Sequence, residues 1–414
     1  MMPRFPKPVM LATAVVAVAW AVFACCGNQV AGVLASRFER ILQRVANGKF
    51  EDPVVFVHGR MMECLILLAV AVALWLLGWV VFRHPRMRSL PPMVAGLGLG
   101  LWGFCCLNVL AWVAGQTVVF WSLFYDKAQV DNFAQYQIKN TLIREIHGKH
   151  RVILIGNSQT NRSIDEVAMN KAGGGKLWAT ELSQPGAKGF DLLTLTRQMH
   201  IGQGDVVVCY LSEIYFYGGG SGAVAAEFFS FRELPDVFAL RGWDLFPDGA
   251  IASGLLGRVL PLYRFRNSLA HRLLGWQLTS LKQREFDQSL EEDLEAQANR
   301  RGGQLQEGRS SAFEQAAFSR MVAEVAGKGA SLVLIAGHNH PALQRHMNPA
   351  LRADLTGFLA RLESNHPGRV TVIDGGKFFQ PVEADFADLV HFTDPAQQRF
   401  TAALTGYLVT KHCK

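Results

Sequence analysis

Hydrophobic positions follow two regimes along the chain. Up to about residue 125 they form long unbroken runs, and beyond it they come as short clusters between polar and glycine-bearing stretches. Three runs carry no charge at all: Val9 to Ser36, Cys64 to Phe82 and Val94 to Tyr125. Roughly 17 to 25 apolar residues cross a hydrocarbon layer as a helix. Three transmembrane helices are therefore expected, at about 9–30, 63–82 and 94–122. A signal peptide competes for the first, although the bulky Phe23 spoils the cleavage box Val22-Phe23-Ala24-Cys25. The third run ends in Phe120, Trp121, Phe124 and Tyr125, a pattern suited to an interfacial aromatic belt. It is long for one crossing and short for two, and tilt or an extra turn outside the hydrocarbon would absorb the excess. Between the first two runs, Ile41, Leu42 and Val45 make the connector amphipathic enough to lie along a membrane surface.

From residue 126 the pattern is that of alternating strands and helices, the signature of a βαβ domain. Strands are expected at Val152–Ile155, Lys176–Ala179, Asp205–Leu211, Ser331–Ile335 and Val370–Ile373. Helices are expected at Asp191–Met199 and Phe313–Ala326, the latter stopped by Gly327. The organisation that follows is a membrane anchor at 1–125 and an α/β domain with a parallel sheet at 126–414. An insertion around 282–310 is acidic, then Gly-rich and polar. It reads as an exposed helix followed by a loose loop, either a solvated excursion or a lid over a site.

Charge fixes an orientation. The chain has 414 residues and a formal net charge of +7. The first 125 positions hold ten Lys and Arg and four Asp and Glu, which leaves 31 basic and 30 acidic residues in the remainder. The excess therefore flanks the apolar runs, and nucleic acid is excluded as a partner. The N-terminal tail (Arg4, Lys7) and the loop Arg83-His84-Pro85-Arg86-Met87-Arg88 lie two crossings apart and are both basic without acids, so both belong on the cytoplasmic side. The connector at 37–60 is basic too, which pulls against this orientation. Three crossings place the C-terminal domain in the periplasm or outside, in a bacterial inner membrane. Of seven cysteines, five lie in or beside the apolar runs, and Cys209 sits in the buried-looking run Val206-Val207-Val208-Cys209-Tyr210. Cys209 reads as a small buried thiol rather than half of a bridge to Cys413.

The chemistry gathers at two distant places. Residues Arg151 to Ser163 read R-V-I-L-I-G-N-S-Q-T-N-R-S, a β-branched run ended by Gly156 and followed by small polar residues. That is a buried parallel strand meeting its loop, and it puts Ser158 just past the strand's carboxyl end, where ligands bind in open α/β sheets. A serine there becomes a nucleophile when a base is supplied. Near the C-terminus, Asp388-Leu389-Val390-His391 supplies one, since an acid three residues before a histidine can hold one ring nitrogen while the other faces the hydroxyl. Asp385 and Asp394 are rival partners for His391, and spacing favours Asp388.

Together, Gly156-Asn157-Ser158 after the first strand, a glycine in the loop after the second, and Asp388-x-x-His391 near the end resemble the GDSL/SGNH hydrolase superfamily. The resemblance covers about residues 150 to 410. It implies a flavodoxin-like three-layer α/β/α fold and acyl ester hydrolysis or acyl transfer. It also implies Ser158 as nucleophile, His391 as general base and then acid, and Asp388 as the residue orienting the imidazole. The family's oxyanion-binding glycine matches Gly186 in Leu182-Ser183-Gln184-Pro185-Gly186. Two departures stand out. Asn157 replaces the usual Asp, and the Gly-x-Asn-Asp block after the third strand is missing, with Tyr210-Leu211-Ser212-Glu213 in its place. An ionised Glu213 aimed at an oxyanion would repel it. The expected oxyanion donors are then the Ser158 and Gly186 backbone groups, with Ser212 as a third.

Gly337-His338-Asn339-His340-Pro341 follows the fourth strand and falls on the same sheet edge. With no carboxylate or cysteine nearby in sequence, His338 and His340 point to a substrate-contacting or plain loop rather than a metal site. Asn157 and Glu213 are further candidate substrate contacts, and Arg162 and Tyr215 could also face the site. The first loop lacks both G-x-G-x-x-G and a P-loop lysine, so no nucleotide cofactor is expected. The resulting expectation is a membrane-anchored esterase or O-acyltransferase acting on acyl, first of all acetyl, esters of an exported or cell-surface polysaccharide. The competing expectation is a non-catalytic protein of the same fold that holds glycan or docks on a multi-span membrane acyltransferase. In either case the partners are an acylated glycan and the lipid bilayer.

Overall fold

A computed structural model describes residues 53–85, 89–122, 132–144, 146, 150–217, 228–241, 249–265, 293–307 and 311–412. The chain divides into two compact units, Met1–Ile138 with Val259–Leu269, and Lys139–Arg258 with Ala270–Lys414.

In the first unit, α1 (Pro53–Arg83) and α2 (Pro92–Ala114) are long and apolar enough to cross a membrane, with the qualifying stretches at Gly59–Arg83 and Pro92–Ala114. Their large side chains face outward rather than into protein: Leu97 and Leu101 are each 66% exposed and Met93 77%. A run apolar on all sides with so little burial is what lipid-facing helices show. The two helices approach closely at Gly78, where a Cβ would sit 2.5 Å from the Trp102 indole nitrogen. The run expected as one span at 94–122 is broken. It ends at Ala114, where the Gly115 N–H bonds Ala111 O, and resumes as the short helix Val118–Ser122. Polar Gly115-Gln116-Thr117 interrupts the apolar pattern there, and the Thr117 hydroxyl accepts from the Phe120 N–H at 3.2 Å. A short helix, Pro261–Arg264, packs on α2 within this unit, with the Leu262 N–H donating to Asn108 Oδ1. The expected first span at 9–30 and the cleavage box at 22–25 lie outside the described residues, as do Phe124 and Tyr125.

The second unit is built on a five-stranded, all-parallel sheet, β1 (His150–Leu154), β2 (Leu177–Glu181), β3 (Val206–Leu211), β4 (Ser331–Ala336) and β5 (Val370–Asp374), in the order β2-β1-β3-β4-β5. All five expected strands are present, with ends moved by one or two residues. The order reverses between β1 and β3, which makes the carboxyl ends of those two strands the place where a ligand crevice opens. Helices cover both faces. Alternate residues such as Val152, Leu154, Val206, Val208, Tyr210, Val333 and Ile335 pack in one cluster with Ile164, Met169, Phe400, Leu404 and Leu408. The last five come from the segment after β1, which includes α4 (Glu166–Ala172), and from α10 (Asp394–His412). On the other face lie α5 (Gly189–Gln198), α7 (Ala312–Gly327) and α9 (Ala350–Asn365). The two helices expected from periodicity are α5 and α7. Cys209 is buried in β3 as a free thiol, and Cys413 is outside the described residues.

The expected loose loop in the 282–310 insertion is corrected. Residues Leu294–Glu307 form one helix, α6, which continues through Gly302-Gly303 and packs on α8 (Pro341–His346). Ala298 is fully buried, and a Cβ on Gly302 would meet the His346 carbonyl oxygen at 2.7 Å, so the glycine there permits close helix packing rather than a turn. Residues 282–292 and 308–310 lie outside the described residues.

Candidate active site

Ser158 opens α3 (Ser158–Ser163), a helix of under two turns set directly on the end of β1. Asn157 caps it, its side-chain oxygen accepting the Gln159 N–H at 2.8 Å, which is how a small polar residue ends extended chain and begins a helix. Gly156 is required by the tightness of the turn: a Cβ there would fall 1.9 Å from Thr160 Oγ1. Thr160 in turn exchanges hydrogen bonds with the Tyr210 backbone at 3.2 Å, which locks α3 onto the end of β3. Asn157 therefore shapes the turn around the serine.

Asp388 and His391 come from a closed loop between β5 and α10. Phe386 and Phe392 form an antiparallel bridge, and the Ala387 N–H donates to His391 O at 2.8 Å, so residues 387–391 make a tight turn. Phe386 and Phe392 anchor it in the core beneath the sheet, while Leu389 and Val390 are buried in a second cluster with Ala298, Leu343 and Tyr217. The loop is also tied across to β4's loop, where the His340 N–H donates to Leu389 O at 2.9 Å. Apolar anchors on both sides leave the two polar side chains little freedom.

Within this frame the distances are those of a relay. Asp388 Oδ2 stands 2.7 Å from His391 Nδ1, and His391 Nε2 stands 2.9 Å from Ser158 Oγ. A carboxylate on Nδ1 keeps the ring proton there, so Nε2 accepts the serine hydroxyl proton. Asp388 Oδ1 accepts the Val390 and His391 N–H groups at 2.8 and 2.9 Å. Burial alone would raise its carboxyl. The bond and charge of His391 and the two backbone donors outweigh burial and hold it below the usual range. The rivals are otherwise engaged. Asp385 is buried, caps its own turn through the Val382 N–H and pairs with Arg399, and Asp394 is exposed at the start of α10.

Gly186 has φ 78°, a left-handed conformation suited to glycine, and its loop is held beside Ser158's by the Gln184 N–H donating to Gly156 O at 2.9 Å. Among the described residues, neither the Ser158 nor the Gly186 N–H has an intramolecular acceptor, whereas the Gln159 N–H is taken by Asn157. The expectation of Ser212 as a third oxyanion donor is corrected. Its hydroxyl is fully buried and paired with the Gln159 side chain, accepting at 2.7 Å and donating at 3.0 Å. Glu213 does not face the serine with an unbalanced charge. One oxygen accepts from Asn339 Nδ2 at 2.7 Å and the other from Arg352 at 3.0 Å.

Three further candidates lie elsewhere. His340 is a buried helix cap, its Nδ1 accepting the Ala342 N–H at 3.0 Å, and is not placed as a substrate contact. Tyr215 is a core residue stacked edge-on against Phe216 and Phe318, because the 3-10 turn after β3 aims it under the sheet edge. Arg162 is exposed on α3. His338 lines a cleft beside the loop after β5, 3.7 Å from Asp374, and burial followed by the Arg352 charge pushes its pKa down. Gln159, Asn339 and Arg352 are structural partners that the sequence reading passed over. Two of them were adjacent to residues it named, Gln159 to Ser158 and Asn339 to both histidines. Arg352 sits on a surface helix and carried no signal. Among the described residues no group of three His, Cys, Asp or Glu side chains is arranged to hold a metal ion.

No protein-family model matches this chain, and no curated protein matches it significantly.

Proposed function

We propose that this protein is a serine-dependent esterase or O-acyltransferase of the SGNH type, anchored in a bacterial inner membrane with its α/β unit in the periplasm or outside. The observation that carries the reading is the unbroken path Asp388–His391–Ser158, at 2.7 and 2.9 Å, between residues 233 positions apart. His391 takes the hydroxyl proton as Ser158 attacks an acyl carbonyl, then returns it to the leaving oxygen. The resulting acyl-enzyme passes its acyl group to water or to a sugar hydroxyl. The Ser158 and Gly186 N–H groups receive the carbonyl oxygen. Loss of one oxyanion donor costs about 100 to 1,000-fold in rate, so a two-donor hole implies modest turnover. The strand order and the doubly covered parallel sheet are those of the flavodoxin-like arrangement that the SGNH family uses. The membrane anchor favours a substrate made or exported at the membrane, with an acetylated polysaccharide first. The test is Ser158→Ala in the full chain. Hydrolysis of a chromogenic acetyl ester, and acetylation or deacetylation of glycan in cells, should disappear while membrane insertion persists; undiminished activity in the variant overturns the reading.

One observation favours a second reading, a non-catalytic protein that holds glycan or docks on a multi-span acyltransferase. The position of the missing third block is filled by Ser212 and Glu213, both turned into a buried network rather than toward Ser158. On that reading Ser158→Ala leaves cellular acetylation intact, and the purified parent cleaves no acetyl ester.

A further inference from the structure

Between the loops after β4 and β5 the second unit has a cleft of about 470 Å³. That volume lies within the range of sites for small ligands. Its polar lining includes His338, Gln344, Asp374, Lys377 and Gln380. Pro341 and Pro381 add short, rigid apolar surface. The cleft is coupled to the catalytic groups on both sides. Asn339, also in its lining, has its Oδ1 3.4 Å from the side-chain amide of Gln159, the residue after the nucleophile. His340, between Asn339 and Pro341, donates its N–H to Leu389, the residue after the acid.

We infer that this cleft is a subsite for a neutral, hydroxyl-rich ligand, the sugar moiety that carries or receives the acyl group; the inference rests on the esterase or acyltransferase reading. The charges in the lining balance, one carboxylate at Asp374 against one ammonium at Lys377. The neighbouring Glu213 is already answered by Arg352. Burial, then the Arg352 charge, keeps the His338 ring neutral around pH 7, against the smaller opposing pull of Asp374. Side-chain amides that both donate and accept suit hydroxyl groups, which do the same. An anionic ligand would gain no net attraction, since Asp374 opposes what Lys377 offers, and a lipid tail or a flat aromatic ligand would find no large apolar side chain and no Phe, Tyr or Trp in the lining. The cleft opens at the same carboxyl edge of the sheet as Ser158, between the loops after β4 and β5, and on this proposal ligand specificity belongs there rather than at the serine.

The experiment uses the full chain in detergent as Ser158→Ala, so that binding is read without turnover. Xylotetraose, cellotetraose and chitotetraose are compared with tetragalacturonate by calorimetry or saturation-transfer NMR. At least one neutral oligomer should bind, and more tightly than the uronate. Adding Gln380→Trp, an exposed loop position, should weaken binding about tenfold or more by filling the cleft, with thermal melting unchanged. Gln344→Ala should weaken it severalfold by removing hydrogen bonds. Binding of none of the neutral oligomers, preference for the uronate, or indifference to both substitutions overturns the proposal. Hydrolysis of p-nitrophenyl acetate by the chain with Ser158 intact is measured beside it. Hydrolysis without oligosaccharide binding sinks the subsite alone, and binding without hydrolysis counts against the enzymatic reading while leaving a sugar-binding cleft.

Discussion

A histidine works as a base only while one ring nitrogen keeps a lone pair directed at the proton to be moved, and here the acid decides which nitrogen that is. Asp388 sits on Nδ1 and is itself held by two backbone N–H groups, so its carboxylate cannot swing away from the ring. Asp388→Asn keeps the size and the backbone bonds but offers the ring an amide, which favours the wrong tautomer. By analogy with other Ser-His-Asp sets, kcat on an acetyl ester should fall about 10⁴-fold with the fold intact. Because its folded pKa lies below the ordinary 3.8, the stability Asp388 contributes is complete above 3.8 and is lost only as pH falls through the lower folded value. Glu181 behaves in the opposite sense. At the end of β2, burial lifts its pKa to about 7; the Lys139 charge opposes the rise and the neighbouring Glu166 adds to it. A raised carboxyl is still protonated in the folded chain where the unfolded chain has lost its proton, so stability declines from pH 4.5 to about 7 and then levels off. Glu181→Gln should therefore melt higher than the parent at pH 8 and no higher near pH 4, a difference that thermal melts at the two pH values read directly.

The loops that carry the site are fastened to one another more than to the strands they leave. A single guanidinium does much of this: Arg352 on α9 donates to Glu213 after β3 at 3.0 Å, to Gly337 O after β4 at 2.6 Å, and to Asp374 at the end of β5 at 3.2 Å. Arg352→Ala leaves Glu213, only 6% exposed, without its counter-charge. A cost of about 2–3 kcal/mol is expected, the size of losing charged hydrogen bonds from a partly buried group, together with a lower kcat as the β3 and β4 loops loosen. Arg352→Lys keeps the charge but cannot span three acceptors and should recover only part of the loss. Such a bolt is hard to see in a sequence, because its partners lie 15, 22 and 139 positions away and nothing local marks it. What was legible had a local cause. The β-branched runs gave the strands, the Gly156-Asn157-Ser158 turn gave the place of Ser158, and the three-residue spacing gave the pairing of Asp388 with His391. Orientation was not legible. Ser212, Tyr215 and His340 all sit at the expected sheet edge, and only packing shows that their side chains turn to Gln159, to the Phe318 cluster and to α8's first turn. Likewise Gly302-Gly303 reads as a breaker until the close approach of α8 explains it.

Sidedness follows from counting crossings. Helices α1 and α2 are joined by the short stretch 84–91, so in a bilayer that stretch lies on one side while the residues before α1 and after α2 lie on the other. Basic residues gather at the end of α1 and in the stretch, at 83, 86 and 88, and the positive-inside rule assigns a segment so charged to the cytoplasm. If both helices cross, the proposed extracytoplasmic placing of the α/β unit does not depend on whether the first apolar run is kept. Single cysteines can read this. Cys64, Cys105 and Cys106 lie within the two apolar helices and Cys209 is buried, so a water-soluble, membrane-impermeant maleimide has little background from them. With Cys25, Cys26 and Cys413 replaced by serine, Ser89→Cys should be labelled only after the inner membrane is opened. Val382→Cys, on a residue 61% exposed in the loop after β5, should be labelled in spheroplasts with that membrane intact. The reverse pattern would put the α/β unit in the cytoplasm, away from any exported glycan, and the polysaccharide would then have to give way to an intracellular ester even if Ser158, His391 and Asp388 proved active.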